Sequence, residues 1–205
     1  LCVKGYRWRG LRYALKNIFL ASRALKSWKA AHGLLVRGFD TPTPFALVER
    51  TCGPLVKESF LITEFLPGAM ELNSYVQNRL AEADKRPFLA ALARMLRAMH
   101  DRGIYHADLK SNNVLVHEQA GAWRFFLIDL DRVHFTRGLS FFQRANNLAQ
   151  INASVCSRIT VRDRLSFFHI YAKETALAGR RKEYYRRVLA ISRTKNTAPY
   201  GVLFE

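Results

Sequence analysis

Two short segments hold side chains whose types and spacing can do chemistry. The first is His106-Ala-Asp108-Leu-Lys110-Ser-Asn-Asn113, and the second is Leu127-Ile-Asp129-Leu-Asp131. A carboxylate at 108 and an amide at 113 on one loop can face the same cleft. There the carboxylate can take the hydrogen of a hydroxyl while the amide oxygen binds a cation. Asp129 ends the return strand of a hairpin that Asn113 opens, so it is expected near Asn113. An oxygen-only donor pair suits a hard cation such as Mg²⁺. Acids at a strand end are costly to bury unless paired or bound to metal, and the expected counter-charge is Mg²⁺ on the triphosphate of a nucleotide. Taken singly, each residue also has an ordinary reading. Asp108 and Asn113 can be Asx-turn residues, and Asp129 and Asp131 can be loop carboxylates paired with Arg132. A zinc site built from His100, His106 and Asp108 lacks a fourth ligand at useful spacing.

The elements that must position these residues are readable from periodicity. Residues 84–102 predict a helix, with Phe88, Leu89, Leu92, Met95, Leu96 and Met99 on one face and Gly103 after the last turn. Asn113–Val116 and Arg124–Ile128 predict a hairpin turning at Glu118–Gly121. Upstream, roughly 14–37 predicts a helix with Ile18, Leu20, Leu25, Trp28, Leu34 and Leu35 facing inward and Gly38 as its stop. Pro42 and Pro44 make the following connector stiff. Phe45–Arg50 and Ser59–Phe65 predict strands around Cys52-Gly53-Pro54. Residues 139–193 predict helices broken near Ile159-Thr160 and Gly179. The order is α+β, with a sheet early and helices late.

In this context, H-x-D-x-K-x-x-N followed by I-D-x-D across a hairpin resembles the catalytic loop and metal-binding signature of protein kinases. The resemblance implies Asp108 as catalytic carboxylate, Asn113 and Asp129 as Mg²⁺ ligands, and Lys110 as neutraliser of the moving phosphoryl group. His106 is expected to be a structural anchor that bonds backbone near the metal segment. Lys4, on an early strand-like Val3-Lys4-Gly5-Tyr6, could reach the α- and β-phosphates, or could be one more exposed cation. Leu61-Ile-Thr-Glu64-Phe65-Leu66-Pro-Gly68 looks like a kinase hinge, with backbone groups of Glu64, Phe65 and Leu66 toward adenine. Two departures stand out. No Gly-rich loop precedes Lys4, and the chain begins at Leu1 and not at Met, so a missing upstream strand–turn–strand is expected and the chain alone is expected to transfer little. No acid lies between Lys4 and Asp40. Either another carboxylate positions Lys4, or phosphate alone holds it, or the chain is inactive.

Composition bounds the rest. The 205 residues carry 33 Lys and Arg against 16 Asp and Glu, a net charge of +17. That surface favours polyanions: anionic lipid, phosphorylated glycan or nucleic acid. Lys4, Arg7, Arg9, Arg12, Lys16, Arg23, Lys26, Lys29 and Arg37 all precede the first acid, and Arg180, Arg181, Lys182, Arg186 and Arg187 stand beside Tyr184, Tyr185 and Leu189. This second cluster reads as a basic amphipathic helix or a solvated face. Cys2, Cys52 and Cys156 make neither a disulfide framework nor a CxxC pair, which fits a reducing compartment. No apolar run reads as a transmembrane helix or a signal peptide.

The chain resembles bacterial lipopolysaccharide kinases of the Kdo/WaaP (InaA-like) group in the protein-kinase-like superfamily. The motifs that carry this are Val3-Lys4-Gly-Tyr6, Ser22-Arg-Ala24 with Trp28, Gly38-x-x-Thr41-Pro42, the hinge-like and catalytic segments, and Ile128-Asp-Leu-Asp-Arg132. Asn147-Leu148, Ser154, Asp163-Arg-Leu165 and Phe167-Phe-x-x-Tyr171 add to it. The resemblance implies a kinase-like fold with a partial small N-lobe and hinge at 1–66 and a helical C-lobe at 67–205 holding the catalytic and metal segments. It implies ATP- and Mg²⁺-dependent phosphorylation of a Kdo or heptose hydroxyl on lipid A–core glycolipid, in the cytoplasm at the inner membrane of a Gram-negative bacterium. The cationic surface fits peripheral contact with an anionic leaflet. A small-molecule phosphotransferase and a non-catalytic polyanion-binding relative are the alternatives.

Overall fold

A computed structural model describes residues 1–7, 21–53, 55–173 and 178–195. The chain forms two compact units. One comprises residues 1–67 with 127–133, and the other residues 68–126 with 134–205.

The first unit is a three-stranded antiparallel sheet with one helix. Strand β1 (Cys2–Arg7) and β2 (Pro44–Cys52) flank β3 (Leu55–Thr63). Both hairpin strands run longer toward their turn than the apolar pattern predicts, and β3 stops at Thr63, beyond which the Glu64 N–H still bonds the Thr43 carbonyl at 2.8 Å. Helix α1 (Arg23–Val36) packs on this sheet through Ala24, Ser27, Ala30, Ala31 and Leu34, mostly small side chains that let the helix lie close. The expected start near residue 14 is corrected here. Ser22 takes an extended ψ of 160° and its hydroxyl accepts the Leu25 N–H, which caps the helix at 23. Residues 14–20, and Arg9, Arg12 and Lys16, lie outside the described residues, as does Pro54 of the expected turn. The helix ends as its sequence predicts. Gly38 has φ +75°, its N–H bonds Leu35 O, and the Phe39 N–H bonds Leu34 O, a Schellman closure.

Residues 127–133, expected with the helical unit, pack instead with the first. The Leu127 N–H bonds Asp40 O at 3.0 Å, and the buried Thr41 hydroxyl bonds Leu127 O at 2.7 Å. The connector after α1 therefore carries two clamps for a segment far downstream.

The second unit is mainly helical. Its elements are β4 (Met70–Glu71), α2 (Leu72–Asn78), α3 (Lys85–Asp101), β5 (Ile104–His106), β6 (Val114–Gln119), β7 (Ala122–Leu127, whose last residue joins the first unit), β8 (Val133–Phe135), α4 (Phe141–Ser154), α5 (Val161–Ala172) and α6 (Arg181–Lys195). Helix α3 buries Phe88, Leu89, Leu92, Leu96 and Met99, and Phe88 meets Tyr75, Trp123 and Phe125 at ring distances of 5.4, 5.4 and 5.6 Å. Each such buried side chain contributes about 1.5–3 kcal/mol. Capping boxes at Ser140–Gln143 and Thr160–Asp163 start α4 and α5. No helix among the described residues is long and apolar enough to cross a membrane.

Candidate active site

The loop after β5 is shaped by one face of α4. Asn147, Gln150 and Ser154 recur at i, i+3 and i+7, so they line one stripe. The Asn147 amide donates to His106 O at 2.6 Å. Gln150 donates to Ala107 O at 2.8 Å and accepts the Leu109 N–H at 3.1 Å. Ser154 accepts the Ser111 N–H at 2.8 Å, while the Ser111 hydroxyl donates to Ser154 O at 2.8 Å. Four backbone groups around Asp108, on residues 106, 107, 109 and 111, are thus held by side chains of a helix more than forty positions away. Asn147 and Ser154 stood out in the sequence. Gln150 did not, and its only signal was a polar stripe at helical spacing.

The loop also closes on itself. Buried His106 accepts the Asp108 N–H through Nδ1 at 3.2 Å, which anchors backbone of the loop itself. Asn113 donates through Nδ2 to Asp108 O at 2.7 Å, which leaves Oδ1 as the amide atom available to a cation. Asn113 ends a 3₁₀ turn (Ser111–Asn113) just before β6. Lys110 Nζ stands 3.0 Å from Asp108 Oδ1, and both side chains are partly exposed.

Helix α4 is in turn held at both ends of its buried stripe. His100 takes the Tyr171 hydroxyl on Nδ1 at 2.8 Å and gives Nε2–H to Asn147 Oδ1 at 3.2 Å. Burial, and secondarily the Arg144 charge, push the His100 pKa down to about 3, so the ring is neutral at pH 7. At the other end, Arg164 donates to the carbonyls of Asn152, Val155, Cys156 and Ile159. A cation on the last carbonyls of a helix suits its dipole.

In the first unit, Lys4 Nζ and Asp129 Oδ1 are 2.6 Å apart. Of the alternatives left by the acid-free N-terminal stretch, the structure has another carboxylate beside Lys4. Burial is the largest single influence and opposes both charges, but the hydrogen bond between them, their mutual attraction and neighbouring groups together outweigh it, so Lys4 is raised and Asp129 lowered from their ordinary pKa values. Asp129 adopts a left-handed backbone at φ 58° and ψ 55°. Asp tolerates that conformation better than most residues, and non-glycine residues held there mark sites over-determined by their surroundings. Two positions on, Asp131 pairs with Arg23 of α1 at 2.6 Å, not with Arg132.

At the end of β3, the Glu64 carboxylate accepts the Thr43 hydroxyl at 2.8 Å and its N–H is also bonded to Thr43. The N–H groups of Phe65 and Leu66 take no partner among the described residues, and the Phe65 side chain is largely exposed.

Among the described residues no group of three or more His, Cys, Asp and Glu could hold a metal alone. By donor chemistry alone, the Asp129 carboxylate in the first unit and Asn113 Oδ1 in the second are each of a kind that suits Mg²⁺. Arg23–Asp131 and the Asp40–Thr41 clamp were missed by sequence reasoning, because contacts over such separations leave no local pattern.

A family model, "Lipopolysaccharide kinase (Kdo/WaaP) family", matches residues 6–171. Lipopolysaccharide core heptose(I) kinase WaaP of Pseudomonas aeruginosa is 30% identical over 182 residues, covering 82% of this chain and 68% of its own. The Escherichia coli K12 protein of the same name is 26% identical, covering 82% and 69%. A 3-deoxy-D-manno-octulosonic acid kinase from Vibrio cholerae is 28% identical, covering 67% and 56%. A solved structure, "WaaP in complex with acyl carrier protein", superposes with a TM-score of 0.64 at 26% identity, covering 82% of this chain and 76% of that one.

Proposed function

The chain belongs to the lipopolysaccharide kinase (Kdo/WaaP) family, and on that premise we propose that it moves the γ-phosphoryl group of ATP to a heptose or Kdo hydroxyl of the lipopolysaccharide inner core. The observation that carries the reading is the Lys4–Asp129 pair: a strand lysine and a carboxylate on a left-handed turn, joined at 2.6 Å. Such a pair supplies a phosphate-binding cation and a metal-binding anion from one place.

Lys4 binds the α- and β-phosphates, and Asp129 and Asn113 are the residues that hold Mg²⁺. When bound, Mg²⁺ neutralises charge on the phosphate oxygens. Asp108 orients the acceptor hydroxyl and accepts its hydrogen. Lys110, beside Asp108, offsets the charge of the phosphoryl group in flight. The Glu64 carbonyl, with Phe65 and the Leu66 N–H, takes adenine. Little covalent work falls to the protein, so positioning and charge carry the rate.

The net charge of +17 supports an anionic glycolipid acceptor and peripheral contact with the cytoplasmic face of an anionic inner membrane. In the helical unit, Arg180 and Arg187 lie over the Phe141 and Phe142 rings at 5.3 and 4.9 Å, and Phe142 is exposed. That cation–aromatic patch is a fitting leaflet contact.

The test is transfer from labelled ATP to purified core glycolipid, with the phosphorylated sugar identified by mass spectrometry. Asp108→Asn is expected to cut transfer by orders of magnitude and leave nucleotide affinity unchanged. Undiminished transfer by Asp108→Asn, or loss of nucleotide binding with normal turnover of what binds, overturns the assignment.

A further inference from the structure

We propose that Arg23 is a positioning residue for the phosphate half of the site, acting through Asp131 to hold the turn that presents Asp129. The proposal rests on the kinase reading above and adds to it a residue type that the kinase pattern does not supply. In kinases a helix glutamate fixes the strand lysine. Helix α1, Arg23–Val36, carries no acid. Here the lysine is fixed by Asp129 itself, and the helix contributes a cation to the neighbouring carboxylate. The charges of the usual helix contact are inverted.

Three observations give Arg23 this role. First, the Asp131 side chain is only 8% exposed and its oxygen lies 2.6 Å from Arg23 Nε. A carboxylate so placed is costly without a cation, and Arg23 supplies one. Second, Asp129 holds its left-handed backbone between two anchors. Upstream, Asp40 and Thr41 bond both backbone groups of Leu127. Downstream, Arg23 holds Asp131. Third, Arg23 is itself braced. Its guanidinium lies 4.7 Å from the Tyr6 ring, and the Tyr6 hydroxyl is 3.3 Å from Ser27, one turn along α1. Lys4, on the same face of β1, lies 5.4 Å from that ring. Tyr6 is a common wall for both cations.

The consequence concerns which acid meets the ammonium and the cation. When Lys4 turns toward phosphate, its bond to Asp129 weakens. An unpaired Asp131 would then compete for Lys4 and for Mg²⁺. With Arg23 in place Asp131 stays engaged, and Asp129 remains the carboxylate presented.

Hydrogen exchange of the full chain without nucleotide reads the turn directly. Arg23→Ala is expected to speed exchange of the Leu130–Arg132 amides at least about tenfold, with Phe60–Ile62 of β3 unchanged. In the transfer assay the same variant should need more Mg²⁺ for half-activation and lose kcat with the acceptor KM unchanged. Arg23→Lys, which keeps charge but loses the planar fork, should recover part of both. Arg23→Asp combined with Asp131→Arg should restore slow exchange and part of kcat. Wild-type exchange at 130–132 in Arg23→Ala overturns the proposal. So does equal acceleration through β3, which would make Arg23 a general fold residue, and so does a charge swap that recovers neither readout. If Arg23→Ala does not fold, Arg23→Gln is read the same way. Should the wild type transfer no phosphate to core glycolipid, the substrate reading falls, while the exchange pattern still decides the role of Arg23.

Discussion

Lys4 and Asp129 stand 125 positions apart in the chain, yet their charged atoms are 2.6 Å apart. The first strand and the Ile-Asp-Leu-Asp segment thereby bring together the lysine proposed for phosphate and the carboxylate proposed for metal. Both side chains are partly exposed, at 43% and 30%, so breaking the pair costs little stability, about 1 kcal/mol or less. Lys4→Met and Asp129→Ala are each expected to keep a near-native Tm and lose at least about a hundredfold in Mg²⁺-ATP turnover. Calorimetry with a transfer assay on the same samples checks this. Undiminished turnover by Asp129→Ala would remove it from the site.

Gln150 gives a different signature, because on the loop it touches only backbone, its side-chain partner being Asn147 of its own helix. Gln150→Leu strands the Leu109 N–H and the Ala107 carbonyl, at about 1–3 kcal/mol for each buried group. The expected result is a clear fall in Tm together with a fall in kcat, at unchanged nucleotide Kd. A fall in Tm with full kcat would show that the loop keeps its shape without the helix.

His100 predicts how the protein responds to acid. Its folded pKa, about 3, lies below its unfolded value near 6.5. The unfolded chain therefore takes up this proton first as pH falls. Stability is fully present above pH 6.5, erodes from there toward pH 3, and the loss stops growing below that. The span corresponds to a loss on the order of a few kcal/mol. Urea midpoints measured between pH 7 and pH 4 should drop steeply for the wild type and less steeply for His100→Gln. Parallel profiles would sink the assignment.

Gly103 has φ +69°, and a Cβ there would lie 1.9 Å from the Thr136 carbonyl oxygen. That oxygen is backbone and cannot swing away. The Thr136 N–H also bonds Gly103 O at 2.8 Å. Gly103→Ala is expected to destabilise by about 3 kcal/mol or more, from strain and overpacking together. An unchanged denaturant midpoint would show that the β5–β8 contact is dispensable.

Much of this layout was legible before any coordinates. Helix α3, the 114–127 hairpin and the breaks at Thr160 and Gly179 follow from periodicity and turn residues, and the structure has them. The start of α1 was misread because the apolar pattern runs on past Ser22, and only the cap geometry shows where the helix begins. Strands β4, β5 and β8, at two or three residues each, are too short to carry an alternation. The partners of the chemical residues were the hardest to see. The lack of an acid before Asp40 left open whether Lys4 had any carboxylate partner, and nothing local named Asp129, or paired Asp131 with an arginine 108 positions earlier.

The clamp at Asp40 and Thr41 has a consequence for biosynthesis. The chain leaves the sheet unit after Pro67, builds a helix-rich stretch and a hairpin, and returns for the seven residues Leu127–Val133 before leaving again. A ribosome releases the β1–β3 sheet and α1 early, with Lys4 and Arg23 still lacking their carboxylates and Thr41 its acceptor. The unit is complete only when residue 133 has emerged, sixty-six residues after Pro67. Long-range closures of this kind slow folding, because loop entropy is lost before the contact is gained. The nascent sheet is therefore the interval in which a chaperone has time to act.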